Sequence, residues 1–347
     1  MPSLPLRRRD LLAMAGVAAG AAGWGLGQAG AARGQGFTAP PRGDLRLVLF
    51  SDLNGPYGST GYIPEVHRGI GLIPSLQPDL VLCAGDMVAG QKRGLGRGRL
   101  AAMWAGFERD VLSPLRRRGL AFAPAMGNHD ASSARSGGLF AFADDRAEAA
   151  RFWGGRQGAL GLEFVDAAGF PFHYAVRRGD LLVLVWDASS ATVPAEQLAW
   201  AEQLLSGPSG RTARRRLVMG HLPLRPVGVG RDRPGEVLER ADALRTLMER
   251  HGVEAYLSGH HHAWYPARLG GLTLYHLGAL GSGPRRLLGQ TGAPFQTLTL
   301  LDLFVAQGRT AVTTVDLRSL RTVDPRSLPA SLTDRRGRVL QRLPLSA

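Results

Sequence analysis

Apolar residues along this chain gather into short, near-continuous runs of strand length: Leu45 to Phe50, Asp79 to Ala84, Leu120 to Ala125, His173 to Val176, Leu181 to Trp186, Leu217 to Met219, Val253 to Leu257, Leu272 to Leu277, Gln296 to Leu303 and Thr310 to Val315. Turn residues bound them, and the pattern predicts β-strands. Between several of these runs the apolar spacing changes to the helical period, at about Glu65 to Leu76, Leu100 to Arg117, Ala195 to Leu205 and Glu236 to His251. Early strands alternate with helices, and later strands follow one another more directly. The pattern predicts an α/β fold, a four-layer α/β/β/α sandwich of two mixed sheets flanked by helices. No internal repeat is visible.

Two stretches interrupt the alternation. Residues 87 to 99 are rich in Gly and Arg, and residues 131 to 172 form a long segment without period that carries Phe140, Phe142, Phe152, Trp153, Phe164 and Phe170. These aromatics read either as the rim of a site, where loops set substrate choice, or as a satellite core beneath a long loop. Residues 32–43, with Gly, Pro and Arg, read as a linker into a domain spanning 44–317, and 318–347 as a partly ordered, arginine- and proline-punctuated tail.

The N-terminus changes the picture of where the protein works. Arg7-Arg8-Arg9-Asp10-Leu11-Leu12, followed by a mildly apolar Ala/Gly stretch, resembles a twin-arginine export signal over residues 1–31, with Ala29-Gly30-Ala31 as a small-residue cleavage site. An uncleaved anchor is the alternative reading, which the many glycines and Gln28 disfavour. The expected location is periplasmic or extracellular, with no stable membrane anchor after cleavage. Cys83 is the sole cysteine, so no intrachain disulfide can form. Net charge is +14, almost all of it arginine, with Lys92 the only lysine. The arginines are scattered and no aromatic-interleaved basic patch appears, so nucleic acid is not the expected partner. The charge supports a general preference for anionic substrates.

The chemistry lies in short motifs that occur in one order: Asp52-Leu53-Asn54, Gly85-Asp86, Gly127-Asn128-His129-Asp130, Gly220-His221 and Gly259-His260-His261-His262. Most directly follow a strand-like run. Such spacing delivers oxygen donors and imidazoles to one edge of a sheet, as a dinuclear metal hydrolase requires. His67, His173, His251 and His276 lack this context and read as packed or solvated imidazoles.

The ordered set resembles the calcineurin-like metallophosphoesterase superfamily over roughly residues 45 to 280, through its pattern D-x-H, G-D, G-N-H-D/E, a lone His after a strand, and G-H-x-H. The resemblance implies that Asp86 bridges two divalent or trivalent cations (Mn, Fe or Zn). It places Asp52 and His262 on the first, and Asn128, His221 and His260 on the second. It further implies that His129 stands near the leaving group, where Asp130 is expected to orient it, and that a metal-bound hydroxide attacks a small anionic phosphate ester. His261 lies between two ligands and its side chain is expected to point elsewhere.

Asn54 departs from the pattern, which has histidine there. It reads either as a weaker carbonyl ligand or as turn chemistry in Asn54-Gly55-Pro56. Tyr57 or Tyr62, in the loop that follows, is the candidate replacement ligand or phosphate contact. The leading expectation is an exported phosphoesterase. A phosphodiesterase or nucleotide pyrophosphatase of the same fold is the alternative within the class, and a non-catalytic metal or phosphate-ligand binder is the alternative outside it. A membrane-surface nuclease or lipid phosphatase would draw on the positive charge. The oligomeric state has no signature in the sequence.

Overall fold

A computed structural model describes residues 37–344, so the export signal expected over residues 1–31 and the first part of the linker lie outside the described residues. Two mixed sheets carry the fold. The six-stranded sheet runs in the order Arg321–Thr322, Arg309–Asp316, Thr297–Phe304, Leu45–Phe50, Leu80–Cys83, Phe122–Pro124. The nine-stranded sheet runs Ser331–Thr333, Val339–Arg342, Tyr265–Leu269, Leu272–His276, Ala255–Ser258, Arg215–Met219, Leu181–Val185, Tyr174–Arg178, Glu163–Asp166. Parallel pairing of Leu45–Phe50 with Leu80–Cys83 and of the latter with Phe122–Pro124 brings three strand ends together at one edge. Leu181–Val185, Arg215–Met219, Ala255–Ser258 and Leu272–His276 are likewise parallel.

Alternation along each strand explains the layers. Leu47 and Leu49 face the second sheet and pack in one cluster with Val183, Val185, Leu217 and Leu257. Their neighbours Val48 and Phe50 face outward, onto Val66, Ile70 and Ile73 of helix Pro64–Leu76 and Met103 and Phe107 of helix Arg97–Phe107. On the outer face of the second sheet Leu184, Trp186 and Val218 pack with Ala201 and Leu205 of helix Ala195–Ser206 and Leu244 and Met248 of helix Ala241–Arg250. The four-layer sandwich is therefore the observed architecture, and Phe50, 1% exposed, joins its outer core. Phe50→Ala should cost about 3–5 kcal/mol. Among the described residues no helix is long and apolar enough to cross a membrane.

Departures from the sequence reading have local causes. The helix expected from Leu100 to Arg117 is interrupted by a π-turn at Glu108–Leu112 before Ser113–Arg116, where Pro114 cannot supply an N–H to the preceding turn. Residues 131 to 172 are not structureless. They hold a short hairpin, Arg135–Ser136 with Leu139–Phe140, the helix Ala143–Trp153 and the strand Glu163–Asp166. Phe152 and Trp153 enter the first sheet's outer core, while Phe140 lines a pocket beside the candidate site. From Arg318 on, where the sequence reads as a partly ordered tail, the chain instead adds edge strands to both sheets and buries Leu332 and Leu340. The fold thus continues past residue 317. The helix expected from Glu236 begins only at Ala241, because Arg240 takes a left-handed conformation, φ 53°.

Candidate metal centre

The predicted ligands emerge from the carboxyl ends of parallel strands in both sheets. Asp52 follows Leu45–Phe50, Asp86 follows Leu80–Cys83, Asn128 opens a one-turn helix after Phe122–Pro124, His221 follows Arg215–Met219, and His260 and His262 follow Ala255–Ser258. The chain turns sharply to present them. Asp52, Asp86, His260 and His262 all have positive φ, between 53° and 67°. Such conformations cost roughly 1–3 kcal/mol each for residues with a Cβ and gather at functional sites. Gly85, at φ 93°, has no room for a side chain, since a Cβ there would lie 2.7 Å from His221 Nδ1 and 2.8 Å from the Gly127 backbone.

Two triads result. Asp86, His221 and His260 form one, Asp52, Asp86 and His262 the other, with ligand atoms in each within 4.8 Å of one another. Asp86 belongs to both, as a bridging carboxylate must.

The hydrogen bonds fix which atom each ligand presents. His221 Nδ1 donates to Ala84 O at 2.7 Å, so Nε2 is the free nitrogen; it faces Asn128 Oδ1 at 3.0 Å and Asp86 Oδ2 at 3.3 Å. Asn128 Nδ2 donates to Gln91 Oε1 at 2.6 Å, which turns its carbonyl oxygen inward. His262 Nδ1 donates to Gly283 O at 2.9 Å and its Nε2 faces Asp52 Oδ1 at 3.2 Å. His260 Nε2 donates to Glu236 Oε2 at 2.8 Å, leaving Nδ1 for the cluster. Each imidazole is thus held by a second partner, the arrangement that sets tautomer and ring orientation in metal sites.

Converging acceptors perturb the titration of the site. Burial opposes a charge on His221, yet Asp86 and Asp52 hold its pKa up at about 9. Burial would raise Asp86, but His221 and His129 hold it far below the ordinary carboxylate value. Burial depresses His260 to about 4 against the pull of Glu236. Acceptor atoms aimed at one another, with Asp86 Oδ2 buried and without a hydrogen bond, are what a cation would satisfy. Carboxylates, imidazoles and an amide oxygen suit divalent first-row ions, so the residues present fit metal binding.

Other predicted residues fall nearby. His129 Nδ1 donates to Gly90 O at 3.0 Å, and Nε2 lies 3.9 Å from Asp86 Oδ2, outside both triads. Asp130 does not orient it. Its two oxygens accept from Val88 N and Gly127 N, each at 2.9 Å, because at the third position of the one-turn helix it reaches back to cap the helix's own start. Burial and the nearby Asp86 raise Asp130 to about 7. Asn54 is buried beside the first triad's loop, its side-chain oxygen unpaired and its backbone oxygen accepting from Ser282 Oγ at 2.8 Å. Tyr62 donates to Met87 O at 2.7 Å and packs on the outer core. Tyr57 is exposed, its ring 5.3 Å from that of His129. His261 turns away. Its Nδ1 accepts from Val227 N at 3.1 Å and its Nε2 donates to Glu236 O at 2.8 Å.

Glu236 and Gln91 have no motif to announce them. Each holds a ligand from a loop, and only the fold brings them there. A pocket of about 880 Å³ opens from the second triad, lined by Tyr57, Asn128 and His260 together with Arg135, Arg146 and Arg231.

A family model for calcineurin-like phosphoesterases matches residues 45–264. The fold is similar to a purple acid phosphatase from yellow lupin (Lupinus luteus) seeds, at TM-score 0.60 and 16% identity over 82% of this chain and 54% of the lupin chain. It is also similar to a dimetal phosphatase from Danio rerio, at TM-score 0.51 and 13% identity over 78% of this chain and 95% of that one. This chain therefore spans about half the length of the lupin phosphatase it matches. No curated protein sequence matches it.

Proposed function

Because the chain belongs to the calcineurin-like phosphoesterase family, we propose that it is a metal-dependent hydrolase of a small anionic phosphate ester, working with two cations. The observation that carries this is Asp86, shared by two triads whose free donor atoms all turn inward. Asp52, Asp86 and His262 would hold one cation, and Asp86, Asn128, His221 and His260 the other. Bound there, the pair would supply Lewis acidity to the phosphoryl oxygens and activate water.

The chain's own residues account for the leaving group. With Nδ1 tied to Gly90 O, His129 keeps Nε2 for the departing oxygen, and in its protonated form passes that proton as the P–O bond breaks. Tyr57 flanks the imidazole and bounds the pocket into which the leaving group extends. The placement of His129 favours catalysis over mere metal or phosphate binding, since a binder has no use for a proton donor outside both triads. Mono- and diesters both fit this chemistry. Export by the twin-arginine route, with the metals loaded in the folded protein beforehand, completes the reading.

The test is full-length protein stripped with chelator and reconstituted with manganese, iron or zinc, assayed on aryl and alkyl phosphate esters. Metal should restore hydrolysis. His129→Ala should retain the metals yet slow alkyl esters, whose leaving groups need a proton, by roughly a hundred- to ten-thousandfold, and slow activated aryl esters far less. No hydrolysis with any metal would overturn the proposal.

A further inference from the structure

The loops that follow His221 and His262 meet beside the two triads and bring an unbalanced group of arginines with them. Gly228 pairs with Leu287 in an antiparallel bridge, Val229 N donates to Arg286 O at 2.8 Å, and Leu288 N donates to Val227 O at 2.8 Å. Buried His261 clamps the first of these loops through Val227 N and Glu236 O. This register brings Arg285 against the turn that leads into Arg231: Arg285 Nη1 lies 3.9 Å from the position a Cβ on Gly230 would take. Arg285 is also tied to the ligand loop, its backbone N donating to His262 O at 2.9 Å.

Glu236 is the carboxylate that serves this group. It pairs with Arg231 at 2.6 Å and Arg233 at 2.8 Å while accepting from His260. Nothing serves Arg285. Among the described residues its half-buried side chain makes no hydrogen bond or ion pair, and the Nε atoms of both Arg231 and Arg285 are buried without a partner. Burial and the neighbouring Arg231 accordingly depress the Arg285 guanidinium. Proteins rarely leave a guanidinium beside another with no anion between them, and planar guanidiniums are matched to phosphate oxygens.

We propose that Arg231 and Arg285 form a subsite for a second phosphoryl group, so that the substrate is a phosphoanhydride or a bisphosphorylated compound rather than a simple monoester. This rests on the hydrolase reading for its charge balance. Two divalent cations against Asp52 and Asp86 leave an excess that one phosphoryl dianion cancels. Three guanidiniums against Glu236 alone leave a second excess of the same size, which a second phosphoryl group cancels. Arg233, exposed and lining the same pocket as Arg231, extends the positive field outward.

Calorimetry on the metal-free full-length chain tests the subsite without turnover. With no cations to hold a first phosphoryl group, inorganic orthophosphate should bind at the guanidiniums alone, and Arg285→Gln should weaken it at least tenfold while Arg285→Lys retains part of the affinity. No orthophosphate binding, or binding that survives Arg285→Gln, overturns the proposal. With the manganese-loaded protein, kcat/KM should favour pyrophosphate and a sugar bisphosphate over glycerol 2-phosphate, and Arg285→Gln should narrow that ratio through KM. A preference for pyrophosphate alone assigns the anhydride, and a preference for both assigns any second phosphoryl group. Hydrolysis of the monoester without preference defeats the subsite and leaves the hydrolase standing. Absence of all turnover defeats the hydrolase, and calorimetry still decides the subsite.

Discussion

Glu236→Leu isolates a residue that no motif announces. The carboxylate is 11% exposed and accepts from His260 Nε2 at 2.8 Å and Arg231 Nη1 at 2.6 Å, with exposed Arg233 as a third donor. His260 and Arg231 share Oε2 while Arg233 takes Oε1, so leucine, which keeps much of the volume, removes the acceptor from all three. The charge-assisted bonds to His260 and Arg231 are lost, each worth about 1.5–3 kcal/mol of stability, and the exposed Arg233 pair adds little. His260 also loses the partner that turns Nδ1 toward the second triad. Loss of such a partner weakens metal binding by about 10–100-fold, or roughly 1.4–2.7 kcal/mol. The assay is competitive zinc or manganese titration of the full-length chain against a chromophoric chelator, alongside urea unfolding of the metal-free form. Burial would raise the Glu236 pKa, but His260, Arg231 and Arg233 hold it well below its ordinary 4.5. Its contribution to stability is therefore fully present above that pH and fades as pH falls below it. Stability lost with second-site affinity unchanged would refute the reasoning and reduce Glu236 to a counter-ion for arginines.

Asn54→His should tighten the first cation and shift preference toward zinc or iron, and Asn54→Ala should loosen it. Equal affinity in all three proteins would return Asn54 to turn chemistry. His276, fully buried away from the triads, is held neutral by burial, its pKa down from 6.5 to about 4. The unfolded chain binds the proton first, so this group destabilises the fold as pH drops from 6.5 toward 4, by on the order of 3 kcal/mol in full. His276→Gln should flatten that part of the stability profile in urea melts, and an unchanged slope would show that the histidine is solvated. Changing Arg8 and Arg9 together to lysine should hold an uncleaved form inside the cell, visible by fractionation; continued export would reject the twin-arginine route.

The legible parts of this protein are those whose signal is local. Leu45–Phe50 reads as a strand because its apolar run is bounded at both ends, and Asp52, Asp86, His221, His260 and His262 read as ligands because each follows such a run. Helix Ala143–Trp153 hides because Asp144, Asp145 and Arg146 crowd its first turn and only Ala149, Phe152 and Trp153 among its apolar residues bury fully. Strand Tyr265–Leu269 hides behind Pro266, which normally argues against an interior strand; here its carbonyl still accepts from Leu343 N. The role expected of Asp130 fails for a different reason. Adjacency in sequence suggested a contact with His129, but a one-turn helix points consecutive side chains apart, and the capping demand of Gly127 N claimed the carboxylate. Glu236, Gln91 and Arg285 are visible only once distant loops meet.

The pairing of Leu45 with Leu303 has a consequence for synthesis. The strand that carries Asp52 lies between Leu80–Cys83 and Thr297–Phe304, so its second neighbour is made only after every proposed ligand has been synthesised. A nascent chain released near residue 290 would contain all of those ligands and still expose the hydrogen-bonding edge of Leu45–Phe50, with Val48 and Leu49 losing Leu300 and Thr299 as partners. Such a product should be prone to edge pairing with other chains and should not hold both metals. Competence to bind metal would then report on completed synthesis, which is a useful property in a protein whose proposed exporter carries only finished cargo.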